Sequence, residues 1–502
     1  MKIHSRDLRN MRTYYLLLVF LSIVTFSCNK KTYVGDLVIS NANVVDVVSG
    51  KILKSQDVVI KADTIVYIGD HLSIAITANE TVDGTGKYLI PGLWDMHTHT
   101  SSIPITRDIF FPLFVANGVT GIRNMASDCF DSAKFNCIRE GFADPYPSIF
   151  EFNSWKEEIE AGKLIGPKLV AGSAQLNGPS PGEPSSPSRP GTPEHAREHA
   201  NLIQERGVDF AKIYNFIPRE AYFAFADEAN QIGLPFAGHV PEWVKASEAS
   251  DLGQRSIEHA AWGSVADECS SLEEELRQRL HAELQSNEPD IMSVWLEMME
   301  SHDTIKCAKV YKTFVKNGTW ITPTLASGES LPEEFKLHWS EDPRLRYLPH
   351  EEIQYWDNYK SEFDSMVDDP NAQKLARFER KVTLAQYRAG VSLLAGSDNG
   401  TEGVFPGFGL HDELEVLVTT GLTPADALRT ATLEPAKFLN ALETQGTIEV
   451  GKLADLVLLK ANPLEDITNT QKIEAVVANG RYFDRKSLDE ILEKVAREAK
   501  KN

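Results

Sequence analysis

The sequence predicts an α/β fold, a (β/α)8 TIM-like barrel carrying a small accessory β-sandwich domain built from both chain ends. Two patterns point there. Short apolar, strand-like runs alternate with amphipathic helical stretches through the middle of the chain, as in a parallel sheet covered by helices. Short β-branched runs separated by Asn, Gly and Asp turn signals open the chain after Asp36 and return near its C-terminus. A length of 502 residues suits one barrel with insertions and an accessory domain.

The N-terminal runs are Leu37–Ile39, Val44-Val45, Val58–Ile60 and Ile65–Ile68, which read as a small antiparallel sheet; Ala454–Leu459 and Ile473–Val477 complete it. The accessory domain is thus expected over 28–88 and 441–485, the barrel over 89–440, and a C-terminal helix or tail over 486–502. The barrel strands are expected at Leu89–Leu93, Val119–Arg123, Lys168–Ala171, Phe210–Ile213, Pro235–Ala237, Arg255–Ile257, Thr319–Ile321 and Val391–Ala395. A doubly wound open sheet fits the same alternation, but neither G-x-G-x-x-G nor a Walker A sequence is present to support nucleotide binding. The Pro-, Gly- and Ser-rich run Asn177–Pro193 reads as an irregular loop after the third strand. Asp267–Phe314 and Ser327–Lys381 read as acidic helical insertions after the sixth and seventh strands, on the face where barrel active sites lie.

A net charge of −21 argues against a nucleic-acid partner, which requires clustered Lys and Arg. Residues 1–27 read as a lipoprotein signal peptide. Lys2, Arg6, Arg9 and Arg12 precede an apolar run, Tyr14–Phe26, that is too short to span a bilayer. Ser27-Cys28 resembles the lipobox of bacterial lipoproteins, although Thr25 stands where Leu is commoner; cleavage before Cys28 and acylation of its thiol are implied. An uncleaved anchor or ordinary secretion is the alternative. Lipidation places the protein in the bacterial cell envelope, lipid-anchored at the membrane, outer-membrane or periplasm-facing. The mature chain would carry about −24. Cys129, Cys137, Cys269 and Cys307 form no C-x-x-C pair, and no disulfide framework is expected in a chain this large.

The strongest chemical signal is Ile90-Pro91-Gly92-Leu93-Trp94-Asp95-Met96-His97-Thr98-His99. Alternate side chains on a strand share a face, so H-x-H aims both imidazoles at one point, and a metal is the natural occupant. This decapeptide resembles the first-strand motif of the amidohydrolase superfamily, particularly its imidazolonepropionase-like and M38-type dipeptidase branches. Gly118-Val119-Thr120-Gly121-Ile122-Arg123 looks like that family's second strand, and Gly451-Lys452-Leu453-Ala454-Asp455-Leu456-Val457 like its closing β-domain signature. Asn124 stands where members often carry Asp.

The resemblance implies four further metal ligands at strand ends, Lys212, His239, His259 and Asp398. An unmodified ammonium offers no lone pair, but the family's binuclear branches carbamylate a lysine here, making a bridging anion. His97, His99, Asp398 and carbamylated Lys212 would then hold one divalent metal, and Lys212, His239 and His259 the other. Zinc is the expected ion, although manganese, iron or cobalt suit the same ligands. A hydroxide would bridge the metals, and Asp398 would carry its proton to the departing nitrogen as the catalytic residue. Taken singly, His239 and His259 also read as core histidines, Lys212 as a surface lysine or ion-pair partner and Asp398 as a helix cap. Ser397-Asp398-Asn399 also fits the S-D-N element of penicillin-binding proteins, but the K-T-G element is absent.

Tyr214, two residues past Lys212, is a candidate substrate contact, with packing an equal alternative. His411 and Glu413 resemble a family element after the eighth strand and are expected to support the ligands or touch substrate; helix capping explains them nearly as well. His195 and His199 lack the glutamate of H-E-x-x-H and read as an exposed helix face. Hydrolysis of an amide, dipeptide or cyclic amide is the expected activity on a small-molecule substrate. A mononuclear deaminase and a non-catalytic ligand-binding lipoprotein are the alternatives, and an oligomer is compatible with the sequence.

Overall fold

A computed structural model describes residues 32–126, 128–129, 142–179, 183–260, 265–286, 288–327 and 341–501. The expected signal peptide, residues 1–27, and Cys28 lie outside these residues. Among the described residues no helix is long and apolar enough to cross a membrane.

The chain opens with β1 (Thr32–Asp46), β2 (Lys51–Lys61), β3 (Thr64–Asp70), β4 (Ala75–Asp83) and β5 (Tyr88–Pro91). It closes with β13 (Leu456–Leu459), β14 (Ile473–Ala478) and β15 (Arg481–Asp484). These eight strands form one sheet, β15-β14-β13-β5-β1-β2-β3, with β4 on β1. The sheet expected to be antiparallel from its turn signals is mixed. β1 pairs antiparallel with β2 but parallel with β4 and β5, since its 15 residues outlast the β2 hairpin and offer a free edge to later segments. The two chain ends meet where β13 pairs with β5, Leu456 opposite Pro91. Leu37, Ile39, Val58, Ile60, Leu89, Leu456 and Leu458 share its core.

The barrel is built from β6 (Leu93–Thr98), β7 (Val119–Asn124), β8 (Lys168–Leu176), β9 (Phe210–Ile213), β10 (Phe236–Gly238), β11 (Ser256–Glu258) and β12 (Trp320–Thr322), all parallel and in sequence order. Residues 391–395 close the ring. Ile321 N–H donates to the Ser392 carbonyl and Leu394 N–H to that of Ile321, while Met96 N–H on the other side donates to Ala395. The first barrel strand lies later than expected. The apolar run Leu89–Leu93 is divided at Gly92, Tyr88–Pro91 belonging to the accessory sheet and Leu93 beginning β6. A Cβ on Gly92 would lie 2.1 Å from the Thr120 hydroxyl oxygen, so only glycine fits the joint. The helices Pro193–Arg206, Arg219–Ile232 and Thr304–Asn317 each stop at a left-handed glycine (Gly207, Gly233, Gly318) that turns the chain toward the next strand.

The sixth-strand insertion is helical, at Val265–Cys269, Glu273–Glu283 and Ile291–Glu300, before Thr304–Asn317. The seventh is helical at His350–Asp368 and Pro370–Arg388. The C-terminal segment is the helix Arg485–Ala499, which buries Leu488, Ile491, Val495 and Ala499 in the main core at helical spacing.

Two further expectations do not hold. His199 is buried, its Nδ1 against the Pro187 carbonyl, and His195 Nδ1 lies 2.7 Å from the Ser185 hydroxyl, so both hold the Pro-rich loop to the helix. Cys269 and Cys307 form a disulfide, and Cys129 is also disulfide-bonded. The 269–307 bond, spanning a sequence separation of 38, ties the two ends of the sixth-strand insertion. Closing a loop of that length contributes about 2–4 kcal/mol. Urea unfolding of the Cys269→Ala/Cys307→Ala double variant is expected to show that loss relative to wild type, and reduced wild type is expected to lose at least as much.

Candidate metal centre at the barrel mouth

The six ligand candidates come together at the carboxyl ends of the barrel strands. His97 lies in β6 and His99 just beyond it; Lys212 is in β9; His239 and His259 directly follow β10 and β11; Asp398 follows the closing segment. His97, His259 and Asp398 offer ligand atoms that all lie within 4.8 Å of one another. The His97 and His99 rings are 5.2 Å apart, His97 and His259 5.3 Å, and His239 and His259 4.9 Å. A Cβ on Gly396 would lie 2.6 Å from that of His97, so a glycine there lets the closing segment reach β6.

His259, Thr324 and Asp398 adopt left-handed backbone conformations, with φ of 65°, 51° and 58°. Such strain costs on the order of 1 kcal/mol per residue and persists where surrounding bonds fix it. Here His259 N–H donates to the Thr322 carbonyl at 2.9 Å and Asp398 N–H to the His97 carbonyl at 2.8 Å.

Three of the rings are also held from behind. His97 Nδ1 lies 3.0 Å from Glu258 Oε2, His259 Nδ1 lies 2.8 Å from the Thr324 hydroxyl, and His239 Nδ1 meets the Asn215 side-chain oxygen. With Nδ1–H donated backward, Nε2 presents its lone pair to the mouth, the orientation of a metal-ligating histidine. Beneath them Arg123 and Glu258, both buried, form an ion pair, Nη2 lying 2.9 and 3.0 Å from the two carboxylate oxygens. Arg123 also donates to the Met96 carbonyl, the Ser256 hydroxyl and the Thr322 hydroxyl.

The electrostatics suit a cation. Burial lowers His97 to about 3 and His239 well below the usual histidine range, leaving both neutral. Burial opposes ionisation of Asp398, but His97, His99 and His259 hold it well below the carboxylate range. Burial likewise opposes ionisation of Glu258, which Arg123 and His97 hold low. His97 therefore stands between two carboxylates with one ring proton. If that proton goes to Glu258, Nε2 faces Asp398 Oδ1 at 3.2 Å lone pair to lone pair. His99 Nε2 lies 3.0 Å from the same oxygen. A cation among these atoms satisfies all of them, so the residues present fit a divalent metal. The other Cys/His group, Cys269, His302 and Cys307, has its sulfurs in the disulfide and no thiolate to offer.

Lys212 is buried and forms no salt bridge with a described carboxylate; burial lowers it to about 8, against the pull of Glu258 and Asp398. The Tyr214 ring lies 4.5 Å from that of His239 at the mouth. His411 is not at the site. Its ring nitrogens meet the Thr470 hydroxyl and the Asn117 carbonyl, both at 2.9 Å, so it fastens its helix to the turn before β7 and to the segment before β14. Glu413 is buried and accepts from Ala326 N–H at 2.8 Å, steadying the segment after β12 that carries Thr324; burial pushes its carboxyl up. Sequence reasoning misses Arg123, Glu258, Asn215 and Thr324 as support for the ligands. The only available signal is their place at or beside strand ends next to the histidines.

Removing one partner of a buried pair strands the other charge, at about 3–5 kcal/mol. Glu258→Gln is expected to lose about that much stability in denaturant unfolding, far more than Glu158→Gln, whose pair with Arg107 is partly exposed.

The chain matches the amidohydrolase family over residues 88–482. An adenine deaminase of Listeria welshimeri is 38% identical over 88 residues, 18% of this chain and 14% of that protein. The chain thus spans about one seventh of the length of that curated relative. A Xaa-Pro dipeptidase with bound methionine superposes with a TM-score of 0.61 at 20% identity, covering 89% of this chain and 99% of that one. A bottromycin amidohydrolase superposes with a TM-score of 0.64 at 17% identity, covering 92% and 90%. At these identities the superpositions establish the barrel with its accessory domain. The family match extends from the end of the first accessory segment through the barrel into β15, and the chain belongs to the amidohydrolase family.

Proposed function

We propose that the protein is a metal-dependent hydrolase that cleaves a carbon–nitrogen bond of a small amide, a dipeptide or N-acyl amino acid, at the barrel mouth. The observation that carries this reading is the gathering of His97, His259 and Asp398 within 4.8 Å of one another, with His99, His239 and the buried Lys212 beside them and with His97 and His239 neutral. Two divalent cations bound there, zinc the expected species, would activate a water as nucleophile and polarise the scissile carbonyl. His97, His99 and Asp398 would hold one and His239 and His259 the other, with Lys212 shared as a carbamate.

Carbamylation requires the neutral amine. The Lys212 nitrogen adds to carbon dioxide, forming an N–C bond and releasing a proton, and the side chain becomes an anion. A pKa of about 8, set by burial against the pull of Glu258 and Asp398, leaves a reactive fraction of neutral amine near neutral pH, and no described carboxylate forms a salt bridge with it. Asp398, held ionised by the histidines, takes a proton from the attacking water and delivers it to the departing nitrogen. Glu258 and Arg123 keep His97 fixed while this happens. Tyr214 and the helical insertions border the mouth and would shape substrate choice.

The lipobox resemblance at Cys28 supports a lipid-anchored protein of the bacterial cell envelope, and the Cys269–Cys307 bond is of the kind kept in oxidising compartments. Deamination is the second reading, favoured by the adenine deaminase match.

The test is release of free amino acid from Met-Pro, Ala-Pro and N-acetyl amino acids by zinc- or manganese-loaded protein, with ammonia release from adenine in parallel. Amino-acid release is expected, with kcat reduced about 10²- to 10⁴-fold in Asp398→Asn. Ammonia from adenine without amino-acid release would replace this reading with the deaminase.

A further inference from the structure

The same strands that carry the metal ligands at one end form a second cavity at the other. It has a volume of about 340 Å³, and its lining includes Trp94, Phe210, Phe236, Arg255, Phe438 and Gln445. Trp94, Phe210 and Phe236 stand in the first two residues of β6, β9 and β10, and Arg255 immediately precedes β11. The cavity therefore opens at the amino-terminal mouth of the barrel, opposite the histidines. Its volume is in the range of small-molecule sites.

Three charged groups besides Arg255 border it, and each is compensated. Arg123 is bound to Glu258. Lys168 meets Asp455 Oδ2 at 2.5 Å and the Asn479 side-chain oxygen at 2.9 Å. Asp209 accepts from Lys156 at 2.9 Å and from the Ala171 amide at 2.7 Å. Arg255 differs. Half-buried, it donates to the Phe438 carbonyl, and no described carboxylate pairs with it. Burial, with Arg123 nearby, pulls its guanidinium below the ordinary range. The Phe438 ring centre lies 5.0 Å from the Arg123 guanidinium and 4.5 Å from that of Arg255. Gln445, also buried, lines the same opening, and its side-chain amide makes no hydrogen bond to a described residue.

The geometry points to a second ligand site here, for a small carboxylate with a flat apolar body. The carboxylate would sit on the free edge of Arg255, whose planar fork matches its two oxygens, with Gln445 as a second donor. The apolar body would lie against Trp94, Phe210 and Phe438 on the cavity wall.

Calorimetric titration of phenylacetate into the metal-loaded full chain tests the site, beside Arg255→Met, which removes the charge but keeps bulk, and Val170→Trp, which fills the cavity from β8. Wild type is expected to bind one equivalent, both variants to bind roughly tenfold more weakly or worse, and benzylamine not to bind. Undiminished binding by Arg255→Met, which would place the carboxylate elsewhere, or no binding by wild type would overturn the proposal.

Discussion

Glu258 carries a negative charge where water does not reach, and the arrangement at the barrel mouth follows from how that charge is compensated. Arg123 supplies the opposite charge from the floor, and His97 Nδ1 faces one of the same carboxylate oxygens from the mouth side. A buried carboxylate without these partners would take up a proton instead of ionising. With them it fixes the plane of the His97 ring and directs Nε2 toward Asp398. The pair also joins β7 to β11, strands that are not neighbours in the sheet, across the barrel interior. Arg123 extends that tie to β6 and β12 through the Met96 carbonyl and the Thr322 hydroxyl.

The rest of the molecule supports this core from outside. The accessory sheet joins both chain ends and connects directly to β6 through Gly92. The insertion after β11 is fastened by the Cys269–Cys307 bond, and the C-terminal helix closes over the main core. Among the non-glycine residues held in left-handed conformations, His259, Thr324 and Asp398 lie at the mouth, where backbone strain helps set side-chain direction. Because strand ends place the candidate ligands at one mouth and strand starts place Arg255 and aromatic rings at the other, one short set of strands presents two chemically different surfaces.

The parts that can be read from the sequence are those whose signal is local. His97 and His99 share a face because they are two residues apart, and the other candidate ligands follow apolar runs short enough to be strands. Seven of the runs contribute barrel strands, and the eighth closes the ring by bridging bonds. The division at Gly92 is hidden because accessory and barrel strands run together as one apolar segment. Arg123–Glu258 is hidden because its partners are 135 residues apart and neither pattern nor spacing links them. Resemblance places His411 at the site, yet its bonds run to Asn117 and Thr470. His199 reads as exposed on a polar helix because nothing in the helix periodicity shows that the Pro-rich loop folds back over it.

Lys212 decides whether the centre is binuclear. Metal content per chain, determined by elemental analysis of wild type and Lys212→Ala purified without chelator, tests this most directly. Close to two divalent ions in wild type and a clear fall in the variant are expected. One ion per chain, unchanged in Lys212→Ala, would contradict the binuclear centre and leave Lys212 a buried scaffold lysine beside a mononuclear site.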